Sequence, residues 1–183
     1  LKDFGFSNLV DSKEINGKIF SDINQPTALG GITYGVTNLE LTAAYAALAN
    51  CGVYTKPIFY TQILDQDGNI ILENVPQTTT VTKESTAFLL TNAMEDVGTQ
   101  GTGTRLQLDG MTVAGKTGTT SQYNDVWFAG YTPYYTCAVW AGYDNNEKLA
   151  NDSIYRTYQQ TLWQKVMNRI HMNLTDVEFT VPE

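Results

Sequence analysis

The sequence is poor in side chains that bind metals or nucleic acid. It has two cysteines and one histidine among 183 residues. Cys51 and Cys137 lie far apart, in neither a Cys-x-x-Cys pair nor a Cys/His cluster, so no metal site and no cofactor are expected. Two small buried thiols are the simpler expectation, and spacing alone leaves a disulfide open. Basic residues number 11 against 19 acidic ones, a formal charge of −8, which repels phosphate backbones and argues against a nucleic-acid partner. No run of about 18 apolar residues occurs, and Leu1-Lys2-Asp3-Phe4 has no signal-peptide character. Any export signal or membrane anchor is therefore expected outside this segment. His171 has no evident acid or serine partner and reads as a polar helix end.

What is present is enough for a core: 42% hydrophobic and 11% aromatic residues, which implies one compact globular unit. Thr37-Asn-Leu-Glu40 is a capping-box pattern ahead of an alanine-rich helix expected over Asn38 to Asn50, mostly buried. Asp65-Gln-Asp-Gly-Asn69 separates two β-prone runs, Ile58 to Leu64 and Ile70 to Leu72, and predicts a surface hairpin. A second helix is expected from Thr82 to near Gly98, then a glycine-rich loop across Thr99 to Thr104. Three strands follow, Thr112 to Thr119, Val126 to Tyr131 and Thr136 to Tyr143, and their short links imply antiparallel neighbours. From Ile154 to His171, Tyr158, Leu162, Trp163, Val166 and Ile170 fall at helical spacing and predict a closing helix on one face of the sheet. The fold class expected is α+β.

The segment with chemistry in it is Val113-Ala-Gly-Lys116-Thr117-Gly118-Thr119. Gly110-Met-Thr-Val-Ala-Gly115-Lys116-Thr117 satisfies the P-loop pattern. A P-loop, however, needs a strand before it and a helix after it to aim amides at phosphate, and neither is evident. The other reading places Lys-Thr-Gly on a sheet-edge strand lining a cleft. There Lys116 supplies positive charge for a carboxylate, Thr117 and Thr119 supply hydrogen-bond donors, and Gly118 leaves room for a peptide backbone. An edge-strand lysine that only discourages aggregation is the plainer alternative. Trp127, Trp140 and Trp163 read as core by spacing. Asp125 is a candidate anchor for the strand turn, and Tyr123 for the cleft rim.

Lys116-Thr-Gly-Thr119, with Asn124-Asp-Val-Trp-Phe-Ala-Gly-Tyr-Thr-Pro133 and Ala138-Val-Trp-Ala-Gly-Tyr-Asp144, closely resembles the end of the class A, bifunctional penicillin-binding proteins. Ala28 to Asn50, the Gly101-Thr-Gly103 loop and Phe179-Thr-Val-Pro-Glu183 resemble the same family in the same order. The resemblance implies a partial penicillin-binding-protein/β-lactamase-like transpeptidase fold, with residues 1–183 as the C-terminal portion of one such domain. Three motifs build that family's site: Ser-x-x-Lys, Ser-x-Asn and Lys-Thr-Gly. Only the third is found here. Ser153-Ile-Tyr-Arg156 has arginine where a basic lysine is required, and Ser21-Asp-Ile-Asn24 has its asparagine one position late. The missing motifs precede this region in the family, so truncation explains their absence more simply than loss of the nucleophile.

The resemblance further implies a D,D-transpeptidase that cross-links peptidoglycan stem peptides by serine acyl transfer and is inhibited by β-lactams. It would act at the extracytoplasmic face of a bacterial plasma membrane, anchored by an N-terminal segment absent here. Lys116, Thr117, Gly118 and Thr119 would bind substrate, with Lys116 tuning the cleft and the Thr119 amide serving as one oxyanion donor. Without a nucleophile the chain alone is expected to be inactive. Its expected partners are stem peptides, β-lactams and the missing upstream part of the domain, whose strands would pair beside Thr136 to Tyr143. A non-catalytic peptide- or wall-binding module is the alternative.

Overall fold

A computed structural model describes residues 1–99 and 107–182. The glycine-rich loop expected across Thr99 to Thr104, including Gly101 to Gly103, lies beyond Thr99 outside the described residues. In chain order the elements are β1 (Lys13–Ile15), β2 (Lys18–Phe20), α1 (Asn38–Ala49), β3 (Val53–Thr55), β4 (Gln62–Leu64), β5 (Ile70–Glu73), β6 (Thr78–Thr80), α2 (Glu84–Thr99), β7 (Ala114–Thr119), β8 (Asp125–Tyr131), β9 (Thr136–Gly142) and α3 (Ser153–His171). The first six strands form three antiparallel pairs, β1 with β2, β3 with β6 and β4 with β5. The last three form one antiparallel sheet in the order β7-β8-β9.

Helix α1 begins where the sequence places it because its capping box closes. The Thr37 hydroxyl accepts from the Glu40 N–H at 3.2 Å, and Glu40 Oε2 accepts from the Thr37 N–H at 3.0 Å and the Thr37 hydroxyl at 2.9 Å. Its other oxygen accepts from the Ser7 hydroxyl at 2.6 Å and the Ser7 N–H at 2.9 Å. This carboxylate therefore ties the first residues of the chain to the start of α1. The Ser7 hydroxyl first, then the Thr37 N–H, hold its pKa down to about 2. Asp22 does similar work at the next loop, accepting from the Val10 N–H at 2.8 Å and from the Thr33 N–H and hydroxyl, each at 2.7 Å.

The three-stranded sheet is covered on both faces. On one, Phe128 meets Trp163 of α3 edge-to-face with ring centroids 4.9 Å apart, and Met167 and Leu108 complete the cluster. On the other, Ala114 and Tyr131 pack with Met94 of α2 and with Tyr45 and Leu48 of α1. Tyr131 is fully buried between the rings of Tyr45 and Phe179, at 6.4 and 5.4 Å. Its hydroxyl shares a 2.7 Å hydrogen bond with the Thr91 hydroxyl, and burial pushes its pKa up to about 12. The expected layers are present, helix α3 on one face and the earlier helices on the other.

Several expectations need correction. In α1 only Ala43, Ala44 and Ala47 are buried, and Leu39 stays 47% exposed. In α3 the buried stripe is Gln159, Gln160, Trp163, Met167 and His171, whereas Tyr158, Leu162, Val166 and Ile170 are 37–51% exposed. The helix carries an apolar stripe and a mixed one, and the sheet takes the mixed one, whose Trp163 fits beside Phe128. Strand β4 starts at Gln62, not Ile58. Strand β7 starts at Ala114, because the Thr112 N–H turns to the Asp176 carboxylate at 2.8 Å. Both cysteines are free and half-buried. His171 closes α3, as expected. It is buried, with Nδ1 2.7 Å from the Met167 carbonyl and Nε2 2.8 Å from the Thr132 hydroxyl.

The Glu40 hydrogen bonds make a pH prediction with a definite sign. The folded pKa lies below the ordinary 4.5, so the stabilisation is complete above that value and disappears as pH falls toward about 2. Urea unfolding across a pH series should show Glu40→Gln less stable than the parent by an amount constant above pH 4.5 and shrinking below it. A gap that does not change with pH would show that the carboxylate charge contributes nothing.

Candidate functional site

Lys116, Thr117, Gly118 and Thr119 all lie on β7, which pairs only with β8. Among the described residues no second strand pairs with its outer edge. The phase of the ladder decides which backbone groups that edge presents. One residue past the strand, the Thr120 N–H donates to the Asp125 carbonyl at 3.1 Å, which makes this facing pair a hydrogen-bonded one. Such pairs alternate along an antiparallel ladder. Gly118 and Trp127, then Lys116 and Ala129, are consequently bonded inward. Thr117 and Thr119 direct their N–H and C=O groups outward, two residues apart.

The side chains alternate as well. Lys116 shares a face with Ala129, and Gly118 with Trp127, on the side of α1 and α2. Thr117, beside Phe128, starts on the α3 side, as does Thr119. The four residues thus meet at the strand's edge and not on one face. Lys116 is exposed, and its ammonium donates to the Thr117 carbonyl at 2.9 Å, across the outward side of the strand. Among the described residues it makes no ion pair. The arrangement places a cation beside two outward amides and two hydroxyls. Such a set can grip a carboxylate and an extended peptide backbone.

Gly118 has a second reason to be glycine. A Cβ there would lie 3.1 Å from Trp127 Cβ on the paired strand, so a side chain would press β7 away from β8 whether or not substrate is present. Gly115 is tighter still, with a Cβ 2.5 Å from the Phe128 ring.

The turn after β7 is braced from several directions. The Thr120 hydroxyl accepts from the N–H groups of Asn124 and Asp125 at 3.1 and 2.9 Å, and the Tyr123 N–H donates to the Thr120 carbonyl at 2.9 Å. Asp125 anchors the turn as expected, accepting from Trp140 Nε1 at 2.9 Å. Tyr123 adopts a left-handed backbone, φ 59°, and the guanidinium of Arg156 lies over its ring, 3.9 Å from the centroid. That contact joins residues 33 positions apart on a turn and a helix, and no local pattern announces it.

The rival candidates separate in space. Ser21 and Asn24 are loop polars: Ser21 Oγ donates to the Asp11 carbonyl, Asn24 Nδ2 to the Ser21 carbonyl, and Asn24 Oδ1 accepts from the Thr27 N–H. His171 bonds Thr132 beyond the far end of β8 from Thr119. Trp163 is core, whereas Trp127 and Trp140 are half-buried and in contact, their centroids 6.2 Å apart. A cavity of about 490 Å³ lies between α1 and the turn at residues 132–136, also away from Lys116. The P-loop geometry is not formed, because Lys116 and Thr117 sit within a strand that continues to Thr119.

This is an α+β protein with a Lys-Thr-Gly sequence on an outer strand of its three-stranded antiparallel sheet. A sequence model described as the penicillin binding protein transpeptidase domain matches residues 1–171. The chain is 35% identical over 159 residues to penicillin-binding protein 1A of Clostridium novyi, an overlap covering 85% of this chain and 18% of that protein. It is 36% identical over 175 residues to penicillin-binding protein 1F of Bacillus subtilis, covering 92% and 24%. Among solved structures, penicillin-binding protein 1A from Haemophilus influenzae superposes with a TM-score of 0.79 at 19% identity, over 99% of this chain and 31% of that one. The PonA1 protein from Mycobacterium tuberculosis, in complex with penicillin V, gives 0.80 at 22%, over 100% and 51%. The chain belongs to the penicillin-binding protein transpeptidase domain family, and its curated relatives are class A proteins. It spans about a fifth of the length of those relatives. Among the described residues, no helix is long and apolar enough to cross a membrane.

Replacing Gly118 with alanine tests the packing of the edge. We expect Gly118→Ala to lower stability by about 1–2 kcal/mol through forced separation of β7 and β8, with faster amide exchange at Lys116 and Gly118. Unchanged exchange would mean that Trp127 yields without cost.

Proposed function

We propose that this chain is the C-terminal portion of a single penicillin-binding transpeptidase domain and supplies the Lys-Thr-Gly edge of a peptidoglycan D,D-transpeptidase. The observation that supports this best is the ladder phase, which directs the Thr117 and Thr119 amides outward beside the Lys116 ammonium. The nucleophilic serine belongs to sequence upstream. Its hydroxyl attacks the carbonyl of the penultimate D-alanine in a stem peptide, an acyl-serine ester forms, and terminal D-alanine leaves with the proton. The amine of a second stem then attacks the ester, and the serine recovers a proton as the cross-link forms.

In this reading Lys116, Thr117 and Thr119 hold the terminal carboxylate of the donor, and Gly118 lets the strand lie close to it. The Thr119 N–H and the serine's own amide bind the oxyanion, and one such donor is worth roughly 100- to 1,000-fold in rate. A β-lactam enters the same site and acylates the serine as its ring amide opens. The parent protein works at the extracytoplasmic face of a bacterial plasma membrane, anchored by a segment outside this chain.

In this reading the rest of the domain packs on two surfaces of the chain. Among the described residues strand β9 has β8 on one side only, so Thr136, Ala138, Trp140 and Gly142 direct backbone groups to an open edge by the same alternation. The stripe Tyr155, Tyr158, Leu162, Val166 and Ile170 on α3 is 37–51% exposed. Upstream strands pairing with β9, and a helix against α3, would cover both. The chain alone is then aggregation-prone and inactive.

Fluorescent-penicillin labelling of the upstream piece, resolved on a denaturing gel, tests this reading. Label should appear when this chain is added, fail with the chain alone, and fall at least about 100-fold in rate with Lys116→Ala. No label on pieces shown to be folded and associated would favour a non-catalytic peptide-binding module.

A further inference from the structure

We propose that Tyr123 and Arg156 are positioning residues that hold the end of the Lys-Thr-Gly strand in place for acylation; this rests on the transpeptidase reading. The starting observation is backbone strain beside the candidate site. Tyr123 has φ 59°, a left-handed conformation that disfavours any residue with a Cβ and a bulky one most. Such a conformation persists only where its surroundings compensate, and it is concentrated near functional sites.

The compensation comes from two other parts of the chain. The Tyr123 carbonyl accepts from the Leu149 N–H at 2.9 Å, and the neighbouring Asn124 Nδ2 donates to the Asn146 carbonyl at 2.9 Å. The ring is covered by Arg156, whose Cζ lies 3.9 Å from its centroid. Arg156 Nε is buried with no hydrogen-bond partner, and among the described residues this guanidinium forms no ion pair. Arg156 is half-buried, with its Nε shut off from solvent, and the π-face of Tyr123 is the partner its guanidinium takes. Arg156 is on the first turns of α3, so the contact ties the strand turn to the helix that carries Trp163.

Thr119 depends on this arrangement. Residues 121–124 reverse the chain between Thr120 and Asp125, and the left-handed residue at 123 lets the Tyr123 N–H reach Thr120 while the Asn124 and Asp125 amides reach its hydroxyl. Without the Arg156 stack, residue 123 relaxes toward an unstrained conformation and the Thr120–Asp125 pair loosens. The outward N–H of Thr119, one residue away, then loses its aim. That group acts on charge developing in the transition state, whereas the bound carboxylate is shared among three side chains, of which Lys116 and Thr117 lie farther from the turn and keep their hold when Thr119 shifts. The pair therefore governs the acylation step more than the binding step.

The experiment uses the full-length protein. Acylation by a fluorescent penicillin is followed over a concentration series, separating the limiting rate from the dissociation constant of the first complex. Arg156→Met and Tyr123→Leu should each lower the limiting rate about tenfold, with the dissociation constant changed less than about twofold. The double variant should be no slower than the slower single, as expected of partners in one contact. Tyr123→Phe keeps the π-face and should return the rate to within about twofold of the parent. Arg156→Lys retains a cation over the ring and should fall between the parent and Arg156→Met, which gives a second route to the answer if the methionine variant fails to fold. Variants that acylate at the parental rate, that act additively, or that weaken binding and rate together overturn the proposal. Lys116→Ala is the control: a parent that does not acylate overturns the transpeptidase reading itself. A parent that acylates, a Lys116→Ala variant that does not, and a normal Arg156→Met variant overturn only the positioning role.

Discussion

The hydrogen bond from the Thr120 N–H to the Asp125 carbonyl sets the phase of the central sheet. In an antiparallel ladder each residue either bonds its neighbour or faces outward, so this pair decides the role of every residue back along β7. A shift of one residue would turn the Thr117 and Thr119 amides inward and present Lys116 and Gly118 instead. The same phase runs through β8 into β9, where the Thr132 N–H donates to the Tyr135 carbonyl at 3.0 Å. One constraint thus defines both the candidate substrate edge and the open edge on the far side.

The register is kept because both faces of the sheet are filled. Phe128 is committed to Trp163 and Tyr131 to the opposite cluster, so a slip would exchange these contacts and strand two aromatic rings. Polar contacts reinforce the choice. The Tyr131–Thr91 bond joins β8 to α2, and the His171–Thr132 bond joins the end of α3 to the β8–β9 turn. Thr132 Oγ also accepts from the N–H groups of Tyr134 and Tyr135, so its own hydrogen is left for His171 Nε2, which makes Nδ1 the donor to the Met167 carbonyl. The single histidine of the chain is therefore a latch in the fold, far from the Lys-Thr-Gly edge.

Exposed apolar surface is concentrated on a few features among the described residues. The second stripe of α3 is one of them, and the outer edge of β9, which takes no strand partner, is another open surface. The β4–β5 hairpin, whose Ile63, Leu64, Ile70, Ile71 and Leu72 are 44–66% exposed, is a third such surface.

Local signals in the sequence determined where most elements lie. The Thr37–Glu40 capping box, the Asp-Gly turn and the short links between the last three strands each act within a few residues, and the structure places α1, the β4–β5 hairpin and β7-β8-β9 where they indicate. Sequence also determined the family, because Lys116-Thr-Gly-Thr119 occurs with a long flanking run in the right order. Tertiary structure decided what depends on distant partners. It chose between the two stripes of α3, buried His171 against Thr132, and placed Arg156 over Tyr123. It also set the side chains of the Lys-Thr-Gly segment on alternate faces, with Thr117 and Thr119 presenting their amides outward. Periodicity records which residues can be buried together. Which of them meet, and which way an amide points, follows from strand register and from contacts between segments tens of residues apart.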